Sequence, residues 1–258
     1  MRGVPVAGDQ VDRMPSRFSR VLSGPDRQKF ERFASLRLVS LQEFPQRRTG
    51  DGDMTEAHML PSSEAVAIAG YDYGGPQSAH SPVSMEELRQ LEATVGWTEE
   101  DARILQQSGS IFRAKAEQMV DAWRAVIGAQ PHLAKWFFGS DGKPDEAYKA
   151  KVKKRFVQWV GDACFRPHDQ AWLDYQEEIG LRHTPAKKNH TDGTQTPPVV
   201  PLRYLLGFVT VVTTTTRRFF TAAGRHGQDL QRLEDAWAKA VQLHVILWSR
   251  PYVKDGLW

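Results

Sequence analysis

From Ser84 to the C-terminus, apolar residues recur mostly at intervals of three and four, the period of a helix that buries one stripe. "SMEELRQL" opens such a pattern with Ser84 and Glu87 in capping-box spacing, and "TEEDARIL" repeats the signal with Thr98 and Asp101. The second pattern runs on through Ile104, Phe112, Met119, Val120, Trp123 and Ile127 until Gly128 and Pro131 intervene, which predicts one long helix. "DEAYKAKVKKRFVQWVGDAC" predicts another, with Val152, Phe156, Trp159 and Val160 inward and the Lys151–Arg155 cluster on a solvated face. Residues 228–249 predict a last helix, with Leu230, Leu233, Trp237, Val241, Val245 and Trp248 inward.

Two segments need more than periodicity. The β-branched run in "LRYLLGFVTVVTTTTRRFF" reads as a strand on propensity. No second convincing strand exists to pair with it, so context predicts a buried helix over 202–220. In 169–183, Trp172, Gln176, Ile179 and His183 are spaced by four, three and four, which puts His183 on the apolar stripe. Thr184 and Pro185 stop that helix, because proline has no amide donor and restricts the residue before it. His183 is thus an inward histidine near a helix C-terminus. Such a residue is often only a cap for free carbonyls. Asp174, Glu177 and Glu178 flank the stripe and are expected on the solvent side.

Composition narrows the function classes. With 258 residues, 40% hydrophobic, the chain can bury a sizeable core, and eight Trp with twelve Phe suit either that core or the walls of a flat pocket. A single cysteine, Cys164, excludes an internal disulfide. No apolar run is long enough for a membrane span and no secretory-signal order opens the chain, so a cytoplasmic protein is expected. The whole formal charge of +3 lies within residues 1–53. The remainder is balanced, which argues against a nucleic-acid partner. Residues 1–67, with one amphipathic stretch at 27–44, are expected to be a loosely packed or disordered extension, with Met54 an alternative start. "YDYGGPQSAHSP" follows as a turn-rich aromatic loop. Paired CxxC, P-loop, GxGxxG and HExxH motifs are all absent from the sequence.

What remains is an all-α chain with one inward histidine among Trp and Phe, the setting in which globins hold haem iron. The run "DQAWLDYQEEIGLRH" followed by "KKN" resembles the proximal region of protoglobins. So do "IAGYDYG", "PHL" with "SDGKPDEAY", "KKRF" and "LWSRPYVKDG", in order along residues 68–258. The resemblance implies a globin-like helical sandwich with an extra N-terminal helix and loop, binding haem b. It makes His183 the proximal ligand, puts Trp123, Phe156 and Phe208 on the distal wall, and folds the aromatic loop with Tyr73 over the haem.

Protoglobins usually carry a tyrosine just after that tryptophan; this chain has Arg124. Burying an unpaired guanidinium is costly, so Arg124 is expected to face outward. The resemblance further implies a homodimer built from the last two long helices. The expected function is reversible binding of oxygen, carbon monoxide or nitric oxide at a five-coordinate iron, with gas sensing through a separate partner. The alternatives are a haem enzyme acting on nitrite, nitric oxide or peroxide, and a haemless helical interaction module.

Overall fold

The computed structural model describes residues 67–258. The expectations for the N-terminal extension, including the amphipathic stretch and the start at Met54, concern residues outside that range.

Local chemistry sets the helix boundaries. Helix α1 (Met85–Val95) starts at a reciprocal capping box: Ser84 Oγ accepts from the Glu87 amide, and the Glu87 carboxylate accepts from the Ser84 amide at 2.8 Å. It ends at Gly96, whose φ of 69° is the left-handed conformation that lets the Gly96 and Trp97 amides reach back to Ala93 and Glu92. Helix α2 (Glu99–Gly128) is capped in the same way by Thr98 and Asp101, and its 30 residues span roughly 45 Å. Asp101 is also clamped by Lys239 at 3.0 Å, so this cap ties α2 to the last long helix. After the short α3 (Pro131–Ala134) and a 3₁₀ turn come α4 (Glu146–Phe165), capped by Asp145, and α5 (Gln170–Leu181), capped by Asp169.

The segment 202–220 is helical, as context required, but it differs from the expectation of one buried helix. It forms α6 (Leu202–Thr214) and α7 (Arg217–Ala222), with a break at Thr215–Thr216. Four consecutive threonines turn their hydroxyls back onto carbonyls three or four residues earlier, Thr213 to Val209, Thr214 to Thr210, Thr215 to Val211 and Thr216 to Thr213. Such back-bonding bends helices. Burial differs too: of α6 only Val212 is buried, and Leu206 is 49% exposed. Helix α8 (Gly227–Ser249) closes the fold and runs into a 3₁₀ turn at Arg250–Tyr252.

Packing follows the stripes. Helix α2 lies along α4 and α8, and α8 also receives α5 and α6. The main core joins Leu105, Phe112, Met119, Trp123, Trp159 and Trp237 from α2, α4 and α8. Burying side chains of this size stabilises the fold by about 1.5–3 kcal/mol each. A second cluster, Val83, Leu88, Trp172, Leu173, Leu243 and Leu247, docks α1 against α5 and α8. No strand occurs among the described residues, and none of their helices is long and apolar enough to cross a membrane.

Candidate functional site

Helix α5 ends at Leu181, and His183 stands in the turn just beyond it. Every polar group of this residue but one is engaged. Its amide donates to Gly180 O at 3.0 Å, and its carbonyl accepts from the Val200 amide at 2.9 Å. Ring atom Nδ1 lies 2.8 Å from Ile179 O. A carbonyl can only accept, so Nδ1 carries the proton and Nε2 keeps its lone pair. Burial pushes the imidazole pKa down to about 4, which leaves the ring neutral at physiological pH. A neutral imidazole with one nitrogen oriented by a carbonyl and the other free is the state of a metal-ligating histidine.

A more deeply buried histidine competes for that role and was not singled out from the sequence. His244, on the Trp237–Val241–Trp248 stripe of α8, is 1% exposed, and its Nε2 has no partner among the described residues. Trp159 Nε1 lies 2.9 Å from its Nδ1, however, and an indole can only donate. Nδ1 therefore accepts and Nε2 carries the proton, the opposite tautomer from His183. Of these two, His183 is the one that offers a lone pair.

The aromatic residues line up behind it. The Trp248 ring stacks on the His183 imidazole with centroids 6.1 Å apart, Trp159 lies 5.6 Å from Trp248, Phe156 5.5 Å from Trp159, and Trp123 5.2 Å from Phe156. Trp123 and Phe156 thus belong to one aromatic wall that reaches the histidine through Trp159 and Trp248. Trp123 is fully buried and donates from Nε1 to Thr215 Oγ1 at 2.7 Å, at the break between α6 and α7. Phe208 on α6 packs partly buried against the same core.

Arg124, one residue on, is half-buried. The acid one turn before it, Asp121, is taken by Lys153 at 2.8 Å. Tyr73 lies with a different group. It packs on Tyr71 and Tyr175, with the Arg166 guanidinium 4.1 Å from its ring centroid. The loop around it is stitched down where Arg155 donates to Ala69 O, Tyr71 to Asp162, and the Ala79 amide to Glu178.

The carboxylates of α5 overturn the expectation of a solvated face. Glu177 and Glu178 are 4% and 3% exposed. Glu177 takes a two-point bond from Arg250 at 2.9 and 2.6 Å, and Glu178 pairs with Arg182 and Lys187. Burial alone would raise the Glu178 carboxyl, but the Lys187 hydrogen bond and the Arg182 charge overcome it and hold the pKa below the usual range. Asp174 is partly exposed and accepts from the Ser81 amide, so it too secures the preceding loop. The Lys151–Arg155 cluster is likewise not simply solvated, since Arg155 makes a two-point bond to Asp192 and Lys153 bridges Glu117 and Asp121.

Two surface cavities, about 740 and 390 Å³, open near the C-terminal end of α4 and share Phe165 and Arg166 in their walls. Neither is lined by His183, Phe156 or Phe208. The larger one contains His168, whose Nδ1 lies 2.6 Å from the Glu92 carboxylate and whose ring is sandwiched by Trp97 and Trp172. His183 differs from His168 in having the wall of Trp248, Trp159, Phe156 and Trp123 behind it.

The family model described as Protoglobin matches residues 84–258. Among solved structures, the chain is similar to the globin domain of a Geobacter sulfurreducens globin-coupled sensor, at 15% identity and a TM-score of 0.50. That match covers 64% of this chain and 97% of the sensor domain. No curated protein matches the sequence.

Proposed function

The chain belongs to the protoglobin family, and from that premise we propose that His183 would hold the iron of haem b through Nε2, and that this iron would bind diatomic gases. The chain is a globin-type haem protein with a helical globin fold. The donor set fits the group: a neutral imidazole with its Nε2 pair free, backed by Trp and Phe. Haem, when bound, supplies an iron at which oxygen, carbon monoxide or nitric oxide binds reversibly.

The chain's own residues do the rest. Ile179 O fixes the tautomer of His183, and a carbonyl acceptor behind Nδ1 makes Nε2 a better donor. Trp123, Phe156 and Phe208 supply apolar surface that excludes water from the gas side. Arg124 stands where protoglobins usually have tyrosine, and with its guanidinium outward that side offers no strong hydrogen-bond donor. The resemblance would have Tyr73 and its loop cover the haem edge, whereas here Tyr73 packs on Tyr71 and Tyr175. The proposal includes a homodimer through α6 and α8, supported by the exposed Leu206 on α6.

The observation that carries this reading is the tautomer of His183. Its test is the absorption spectrum of the purified protein, with and without dithionite and carbon monoxide. His183→Ala is expected to abolish stable haem uptake, while His190→Ala, on an exposed residue beyond the break, leaves the spectrum unchanged. An unaltered five-coordinate histidine spectrum in His183→Ala refutes the assignment.

A further inference from the structure

His183 lies past the last helical residue of α5, so the helix ladder does not hold it. An imidazole turns about a broad torsion, and one hydrogen bond from Nδ1 still leaves the ring free to rock. A metal bond is sensitive to that rocking. Something else must fix the plane.

The end of α8 provides it. Between residues 248 and 252 the chain grips α5 at three successive places and the turn after it at a fourth. The Trp248 indole donates from Nε1 to Gln176 Oε1 at 2.9 Å, and Gln176 is 2% exposed. Arg250 makes its two-point bond to Glu177. Pro251 and the Trp248 carbonyl crowd Gly180 so closely that a Cβ there would lie 3.1 Å from each. The Tyr252 hydroxyl donates to Val200 O at 2.6 Å and lies 3.1 Å from His183 O, securing the main chain of the histidine. Only one of these contacts reaches the imidazole itself, the Trp248 ring at 21° to it. Trp248 cannot turn away, because Gln176 holds its edge while Trp159 and His244 pack behind it at 5.6 and 5.9 Å.

We propose that Trp248, locked by Gln176, is the positioning residue that sets the plane of the His183 imidazole and holds it ready for the iron. Offset stacking of the two rings restricts rotation about the imidazole torsion, and the Gln176 bond fixes the ring that does the restricting. The pair touches neither iron nor gas and acts only through the histidine. This inference rests on the reading of His183 as the ligand.

Resonance Raman spectroscopy of the ferrous protein tests it through the iron–histidine stretching band. Trp248→Leu removes both ring and donor and is expected to shift and broaden that band, and to speed haem loss about tenfold or more, the usual cost of removing a group that orients a ligand. Gln176→Met is the milder variant. It keeps the Trp248 ring but frees it, and should split the band rather than displace it.

Nitrogen NMR of the His183 ring in the apoprotein gives a second readout. One Nδ1–H tautomer is expected in the wild type and a mixture in both variants. Leu230→Ala, toward the far end of α8, controls for lost stability and should leave band and tautomer alone. Wild-type band and tautomer in Trp248→Leu overturn the proposal, provided His183→Gly abolishes the band. A band that survives in His183→Gly overturns the ligand assignment instead.

Discussion

Helix α5 and helix α6 invert the usual relation between polarity and burial. Helix α5 carries an aspartate, two glutamates and two glutamines, yet buries seven of its twelve residues, both glutamates among them. Helix α6 is "LRYLLGFVTVVTT", mostly apolar, yet buries only Val212 of thirteen. The difference lies in partners. Each acid of α5 has one: Arg250 for Glu177, Arg182 and Lys187 for Glu178, the loop at Ser81 for Asp174. Helix α6 packs on α8 and touches α2, but most of its apolar side chains are only partly covered, and Leu206 is exposed. On the proposed reading that surface serves haem and a second copy. A protein spends its polar cross-links where one atom must not move, and leaves apolar surface open where something must enter.

The largest test of this contrast breaks one ion pair in each region. Arg250→Met strands the Glu177 carboxylate, whose side chain is 4% exposed, and removal of one member of a buried pair typically costs 3–5 kcal/mol. Because Arg250 is 22% exposed, a loss near the lower end, about 3 kcal/mol, is expected in denaturant unfolding. Arg217→Met makes the same chemical change on α7, where the pair with Glu234 is 62% exposed on the arginine side. It should cost no more than about 1 kcal/mol. Equal losses at the two sites would show that the polar cross-links are not what distinguishes the proximal side.

The acid limb probes a buried group on α8. His244 is buried neutral, with burial pushing its pKa down to about 3 against 6.5 for the free side chain. As pH falls below about 6.5 the unfolded chain takes up this proton and the folded chain does not. The stability that neutral His244 contributes above that pH is therefore lost progressively down to about pH 3, at about 1.4 kcal/mol per pH unit. His244→Gln can still accept from Trp159 but cannot titrate there. The gap between the two proteins' unfolding free energies should narrow as pH falls from 7 to 4 if the wild type starts higher. A constant gap would place the histidine's charge outside the balance.

These same residues show what was legible in the sequence. Helix starts were readable because a capping box is local: Ser84 with Glu87, Thr98 with Asp101. The inward placing of His183 was readable because its stripe runs along α5 and continues into the turn just after it. The burial of Glu177 was not, since Arg250 stands 73 positions away and no local pattern announces it. Nor was the break at Thr215, because a β-branched run reads alike whether its hydroxyls stay in solvent or return to the backbone. His244 was half legible. Its stripe was visible, but which of its nitrogens carries the proton depends on Trp159, 85 positions away.

A smaller effect is expected on α6. Leu206→Gln changes a side chain that is 49% exposed, so monomer stability should move by no more than about 0.5 kcal/mol. If α6 faces a second copy, sedimentation at matched concentrations should show the variant dissociating while its melting behaviour as a monomer stays put. Unfolding of the monomer by this single change would mean that α6 is packed more firmly than its exposure indicates.

The smallest expected effect belongs to Arg124, and it probes the gas side directly. Arg124 is half-buried, and its near acid Asp121 is already engaged by Lys153. Turned toward the pocket, its guanidinium would be a cation among Trp and Phe with no carboxylate to offset the desolvation. Turned outward, it keeps its hydration and buries only its stem. The outward geometry predicts that Arg124→Leu leaves the oxygen dissociation rate nearly unchanged, because no hydrogen bond to the gas is lost. The inward geometry predicts the loss of a charge-assisted hydrogen bond, about 1.5 to 3 kcal/mol. That would speed oxygen release roughly tenfold to a hundredfold. Carbon monoxide binds with little charge separation and should barely respond in either geometry, which makes it the internal control. Arg124→Tyr adds a donor where the family usually has one and should slow oxygen release only if the arginine faces out. A large acceleration in Arg124→Leu that spares carbon monoxide would put the guanidinium in the pocket, and would give the gas side a fixed polar contact of the kind otherwise concentrated around His183.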